Sequence, residues 1–151
     1  MKSYELRRAS EADHDWLRRL HHAAMRGSVE QIWGWDEAEQ DKYFRERFDP
    51  ARLQIFQVDG RNAGVLEVEE RPDEIYLADI QISPEMQGRG IGSAVIRDLQ
   101  RRAAARGVPL ALQVNRANRA RALYERLGFA MTGEMETHYH MRWVALNQPL
   151  R

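Results

Sequence analysis

Gln87-Gly88-Arg89-Gly90-Ile91-Gly92 is the stretch on which the reading of this chain turns. It follows Glu74–Ile82, a run rich in Ile and Tyr that reads as a strand. It opens Gly90–Arg106, where Ile91, Val95, Leu99 and Ala103 recur on one helical face, and Gly107 supplies a stop. Glycine lets the backbone take positive φ and approach a ligand closely. A helix start leaves about four amide N–H groups without intrahelical acceptors, at the positive end of the helix dipole. Successive free amides in such a turn form an anion nest. The ligand implied is a phosphate or pyrophosphate, with Arg89 adding charge. The plain alternative is a tight turn into a helix and nothing more. A P-loop is excluded, because no Gly-Lys-Ser/Thr follows. A dinucleotide fingerprint fits poorly: its third glycine would fall on Ser93 or Val95, and Asn115 stands where an acidic residue should close the next strand.

Working outward, Tyr4–Arg8 reads as a first strand. Ser10 and Asp13 resemble a capping box before a helix whose apolar face is Trp16, Leu17, Leu20 and Ala24. A break is expected over Gly27–Gly34, then a second helix over Asp36–Phe48. Leu53–Val58, where Leu53 and Ile55 alternate with Gln54 and Phe56 as the two faces of a strand, and Ala63–Glu69 flank the turn signal Asp59-Gly60. Beyond the long helix come a strand at Leu110–Val114, a helix at Arg119–Leu127 stopped by Gly128, and strands at Phe129–Glu134 and His138–Val144. The order is β-α-α-β-β-β-α-β-α-β-β. Short turns make the middle strands antiparallel, and the strand–helix–strand unit makes a parallel crossover. The fold class is therefore α/β with a mixed sheet covered by helices, expected as one domain over 1–151.

Composition narrows the function. Lys plus Arg equals Asp plus Glu, 23 against 23, so net charge gives no reason to expect nucleic acid or an anionic membrane as partner. A local basic patch remains at Arg97, Arg101, Arg102 and Arg106. There is no cysteine, which removes disulfides, thiolate metal ligands and a cysteine nucleophile. No apolar run follows the charge at Met1–Glu5, and none approaches a membrane span, so a cytoplasmic location is expected. His138 with His140, and His21 with His22, lack a third metal ligand in the sequence, so no metal site is expected.

The run Ile80–Gly92 resembles the central signature of the GNAT superfamily of N-acyltransferases. Asn118, Ala120 and Leu123–Phe129 resemble its second signature, in the right order and with a helix and strand between them. The resemblance implies a sheet whose central parallel strands splay apart to hold coenzyme A. Carried over residue by residue, the backbone of Gln81 and Ile82 pairs with the pantetheine amides. The amides of Gln87, Gly88, Arg89, Gly90, Ile91, Gly92 and Ser93 hold the pyrophosphate. Asn115 and Asn118 meet the pantetheine arm.

Acetyl transfer to an amine needs the amine deprotonated, the carbonyl polarised and the leaving thiolate protonated. Tyr124 is the acid candidate, since a phenol is protonated at neutral pH; the alternative is a boundary tyrosine with its hydroxyl in water. Asp79 and Glu67 are base candidates, against a solvated strand face. Trp33, Trp35 and Glu37, between the first two helices, suit a cationic amine through cation–π and ion-pair contacts; equally, the tryptophans pin the connection and Asp36 caps the second helix. His138 or His140 is a candidate for the opposite acceptor wall, against the polar face of an amphipathic strand. The function implied is acetyl-CoA-dependent N-acetylation of a primary amine on a small molecule, peptide or protein, by a monomer or homodimer. The rival is a non-catalytic acyl-CoA-binding regulator or scaffold.

Overall fold

The computed structural model describes residues 4–32, 36–116 and 118–146, with the backbone alone for 24–32. The elements follow the expected order: β1 (Glu5–Arg8), α1 (His14–Ile32), α2 (Glu37–Arg47), β2 (Gln54–Val58), β3 (Arg61–Glu70), β4 (Ile75–Ile82), α3 (Ile91–Arg106), β5 (Leu110–Asn115), α4 (Ala120–Arg126), β6 (Ala130–Glu134) and β7 (His138–Trp143). The strands form one seven-stranded sheet in the order β1-β2-β3-β4-β5-β7-β6. β4 and β5 are parallel, and their ladder registers Ile75–Leu77 against Leu110–Leu112. β1 with β2, β2 with β3, β5 with β7, and β6 with β7 are antiparallel. No helix among the described residues is long and apolar enough to cross a membrane.

The chain divides into two compact units, residues 1–67 with 79–91 and residues 68–78 with 92–151. In the first, the Ser10 N–H donates to Asp13 Oδ2 at 2.9 Å, and Arg7 grips both oxygens of that carboxylate at 2.9 Å. This fixes the entry to α1. Leu17 and Leu20 of α1 pack with Ala9, Ile55 and Val65, and Trp16, Phe44, Phe48 and Leu53 close over them. Asp59 and Gly60 both take positive φ, 53° and 76°, as the tight turn between β2 and β3 requires. Two expectations need correcting here. Helix α1 does not break at Gly27 but runs to Ile32. One interior glycine costs only ~1 kcal/mol relative to alanine, and no proline follows to enforce a stop. Strand β2 is not buried on a single face, since adjacent Ile55 and Phe56 are both fully buried.

Gly64 of β3 marks the closest approach in this unit. A Cβ there would lie 2.1 Å from the Phe56 ring and 2.2 Å from the Gln81 carbonyl oxygen. Gly64→Ala is expected to cost about 2 kcal/mol, because a backbone carbonyl cannot rotate away as a side chain can. Urea unfolding measures this, and a midpoint unchanged from the parent would show that β4 yields freely.

The apolar face of α3 is buried as its spacing predicts, at Ile91 and, in the second unit, at Val95, Leu99 and Ala103. So are Ile75, Leu77, Leu110, Leu112 and Val114 on β4 and β5, and Met141 on β7. Gln100 Nε2 donates to the Leu127 carbonyl at 2.8 Å and ties α3 to the end of α4. Gly107 and Gly128 take φ of 71° and 96° at the ends of α3 and α4.

Candidate active site

Between β4 and α3, Pro84–Met86 forms a single 3₁₀ turn. Buried Ser83 donates its N–H to the Ala63 carbonyl at 2.8 Å, and Met86 N–H returns to Ser83 O at 2.9 Å with its side chain buried. Gly88 and Gly90 then take φ of 79° and 78°. Gln87, Gly88, Arg89 and Gly90 are exposed, whereas Ile91 and Gly92 are buried and anchor the helix start. This is the strand–turn–helix geometry expected for an anion nest. One member departs from expectation. The Gln87 N–H is already directed at Pro84 O, at 3.3 Å, as part of the 3₁₀ turn. Its side chain does something else, donating from Nε2 to the Ile82 carbonyl at 3.1 Å.

The backbone of β4 sorts the two expected pantetheine partners. The Gln81 carbonyl is turned toward Gly64 on β3. The Ile82 carbonyl accepts from Gln87 instead. Groups of adjacent residues point to opposite edges of a strand. Gln81 therefore presents its backbone to β3, contrary to expectation, and its distinctive contribution is its side chain. That side chain is buried, and its Nε2 donates to Asp79 Oδ2 at 2.9 Å.

Asp79 is a carboxyl whose pKa is raised. Burial, reinforced by the nearby charge of Glu67, pushes its pKa up to about 7, while the hydrogen bond from Gln81 and the Ile80 backbone oppose the rise. The other base candidate differs in setting. Glu67 lies 3.1 Å from Arg52 Nη2 in an ion pair. A carboxyl with the pKa of Asp79 can exchange a proton near neutrality.

In the second unit, Tyr124 is the buried residue of α4, packed edge-on to Phe129 at 5.6 Å between ring centroids. It is a core-facing side chain and not a boundary one. Asn115 is buried at the end of β5. Asn118 accepts the Ala120 N–H on Oδ1 at 2.9 Å, an Asx turn that starts α4. His138 Nδ1 lies 2.7 Å from Thr137 Oγ1. A cavity of about 320 Å³ in this unit is lined by Arg71, Glu74, Tyr76, Gln113, His140 and Arg142, among others, and of the residues expected at the site only His140 borders it.

Trp33 and Trp35 lie outside the described residues. Asp36 caps α2, its Oδ1 accepting the Glu39 N–H at 3.1 Å. Glu37 faces α1. His22 Nδ1 is 3.3 Å from Glu37 Oε1, and His22 Nε2 is 3.2 Å from Asp41 Oδ1. His22, Glu37 and Asp41 thus bring one atom each within 4.8 Å of one another, a grouping that the sequence did not show. Arg18 already pairs with Asp41 Oδ1 at 3.0 Å and supplies the positive charge that a cation would bring. His21, weighed in the sequence only as a metal ligand, joins the Asp79 neighbourhood through Gln81. His21 Nδ1 is 3.3 Å from Gln81 Nε2, and the His21 ring stacks on Tyr43. Helical spacing could have found His21, which follows Leu17 by four and Leu20 by one on the buried stripe of α1.

Comparison with known proteins agrees with this geometry. The family described as acetyltransferase (GNAT) domain matches residues 24–147. A mycothiol acetyltransferase of Streptomyces coelicolor is 38% identical over 98 residues, covering 61% of this chain but only 31% of the relative. Among solved structures, the PaiA N-acetyltransferase of Thermoplasma acidophilum, in complex with coenzyme A, matches with a TM-score of 0.77 at 17% identity over 95% of this chain and 99% of that one. The ribosomal-protein-S18-alanine N-acetyltransferase of Escherichia coli matches with a TM-score of 0.63 at 20% identity over 97% and 99%. The chain belongs to the GNAT acetyltransferase family.

Proposed function

We propose that this chain transfers the acetyl group of acetyl-CoA directly to a primary amine on a small molecule, peptide or protein. The observation that carries this reading is Asp79: a half-buried carboxyl with a pKa of about 7, on the strand that runs into the glycine turn. At neutral pH a large fraction is ionised, and it is basic enough to accept a proton from an ammonium or a bridging water. The PaiA neighbour holds coenzyme A in the same fold, which supports a coenzyme A ligand at the glycine turn.

On this reading the amides from Gly88 to Ser93 meet the pyrophosphate. Ile82 offers its carbonyl to pantetheine, and exposed Gln87 releases it when the ligand arrives. Asp79 deprotonates the amine, the freed nitrogen attacks the thioester carbonyl, and collapse expels the coenzyme A thiolate. Tyr124 protonates that thiolate and Asn115 and Asn118 serve the pantetheine arm, roles that rest on the family resemblance. Much of the rate comes from holding amine and thioester together, an effect worth ~7–11 kcal/mol. Glu37, beside Asp41, makes one acceptor wall acidic and favours a cationic amine.

The test joins thiol release from acetyl-CoA over an amine panel with calorimetric binding of coenzyme A. In Gly90→Asp a side chain is forced to φ near 78° and a carboxylate enters the nest. No heavy atom lies within 4 Å of the new Cβ, and aspartate tolerates this region better than most residues, so the fold survives. Coenzyme A affinity should fall on the order of 30-fold. Undiminished affinity in the folded variant would remove the nest from the site. Binding without turnover of any amine would favour the non-catalytic regulator.

A further inference from the structure

Gln81 is a buried amide between two acceptors. Its nitrogen is 2.9 Å from Asp79 Oδ2 and 3.3 Å from His21 Nδ1. A primary amide nitrogen has two hydrogens and no acceptor capacity. Both contacts are satisfied together only if Asp79 Oδ2 carries no proton and His21 offers a lone pair at Nδ1, with its hydrogen on Nε2, and the donation to Oδ2 favours the ionised carboxylate. If the amide were turned over, its oxygen would face a carboxylate oxygen and an imidazole lone pair, and both would need a proton to make a hydrogen bond. The orientation of this amide is therefore tied to the protonation of two side chains at once.

We propose that His21 is a positioning residue for the base: acting through the Gln81 amide, it holds Asp79 in its ionised, reaction-ready orientation. The inference rests on the acetyltransferase reading above and on Asp79 as its base. His21 is suited to the task. Its ring is half-buried, stacked on Tyr43 at 6.3 Å and near Phe44 at 5.7 Å between centroids. Burial, helped by His22 and opposed by Gln40, lowers its pKa and favours the neutral ring; the contact with the Gln81 NH₂ group is what calls for the lone pair at Nδ1. The charged and titratable groups around the cluster are His22 with Arg18 on α1, Glu37 and Asp41 on α2, Asp79 on β4, and Glu67 with its partner Arg52. Without the acceptor at position 21 the amide is free to turn. Asp79 then loses a fixed donor, becomes harder to ionise and points less reliably at the amine.

The experiment is the pH dependence of kcat/KM for acetyl-CoA and the best amine of the panel. It compares the parent with His21→Phe, His21→Asn and Asp79→Asn. Phenylalanine keeps a ring for Tyr43 and Phe44 but has no acceptor. Asparagine keeps an acceptor at the position of Nδ1 and cannot titrate. His21→Phe should lower kcat roughly 3- to 10-fold and move the acid limb to higher pH, with the acetyl-CoA KM unchanged. His21→Asn should restore the rate to within about twofold. A parental rate and acid limb in His21→Phe, or equal damage in both variants, overturns the role. If His21→Phe does not fold, ¹⁵N spectra of histidine-labelled parent protein decide: His21 must be the Nε2–H tautomer at neutral pH, and the Nδ1–H tautomer overturns the proposal. Asp79→Asn at full rate sinks the base itself, whereas a slow Asp79→Asn beside an unaffected His21→Phe sinks only the role of His21.

Discussion

Asp79→Asn is expected to slow acetyl transfer about 10²- to 10³-fold while making the protein more stable at pH 8. The two effects have one cause. The folded state raises the Asp79 pKa from 3.8 to about 7, so folding opposes ionisation of this group. Below about pH 3 the carboxyl is protonated in both folded and unfolded chains, and it carries no penalty. As pH rises toward 7 the unfolded chain releases the proton first, and stability is lost until the folded carboxyl has ionised too. Asparagine has no proton to lose, yet its Oδ1 can still accept from Gln81. The variant should therefore match the parent below about pH 3 and exceed it by about 4 kcal/mol at pH 8. Urea unfolding at about pH 3 and pH 8 measures the difference, and initial rates of thiol release give kcat. The acid limb of the parent, centred near pH 7, should vanish with the carboxyl. A variant that is both fast and unchanged in stability would leave Asp79 an ordinary strand residue.

Tyr124→Phe is the second large effect. Phenylalanine keeps the ring that packs edge-on against Phe129 at 5.6 Å, so α4 stays seated. It deletes the hydroxyl alone. If that hydroxyl protonates the departing thiolate, kcat should fall about 10- to 10³-fold, with water as a slower substitute donor. Coenzyme A affinity by calorimetry should hold within about twofold, and stability should drop by no more than ~1 kcal/mol. A thiol leaving group of lower pKa should recover part of the lost rate, because it needs less help from an acid. Full activity in Tyr124→Phe, measured where chemistry limits turnover, would retire the acid role and leave the glycine turn untouched.

The order of elements was legible because each boundary carries its own chemistry. Gly107 and Gly128 stop helices in left-handed backbone, Asp59-Gly60 turns a hairpin, and Asp36 caps α2. The glycine turn was legible for the same reason: Gly88 and Gly90 adopt the positive φ that their side-chain-free backbones allow. Other features were hidden by the limits of local pattern. The run of α1 past Gly27 is set by a small propensity difference that the flanking turns of helix outweigh. The placing of β7 between β5 and β6 is a matter of pairing, which no single strand announces. The roles of Gln81 and His21 depend on which β4 backbone groups face β3 and on a contact across sixty residues of sequence. Asp79 and Glu67 were equal candidates on paper. They parted only when Arg52 was found beside one and burial around the other.

The crowding at Gly64 reaches beyond stability. A residue larger than glycine there collides with two things, and only one of them can be edited. Trimming Phe56 to alanine would clear the ring, but the Gln81 oxygen belongs to the main chain and no codon change removes it. Second-site suppressors at Phe56 should therefore fail. A successful revertant has to displace the strand that carries Gln81, and Asp79 lies two residues away on that strand. With Asp79 as the proposed base, a change at Gly64 should therefore disturb the aim of that carboxyl as well as the packing of the strand that carries it.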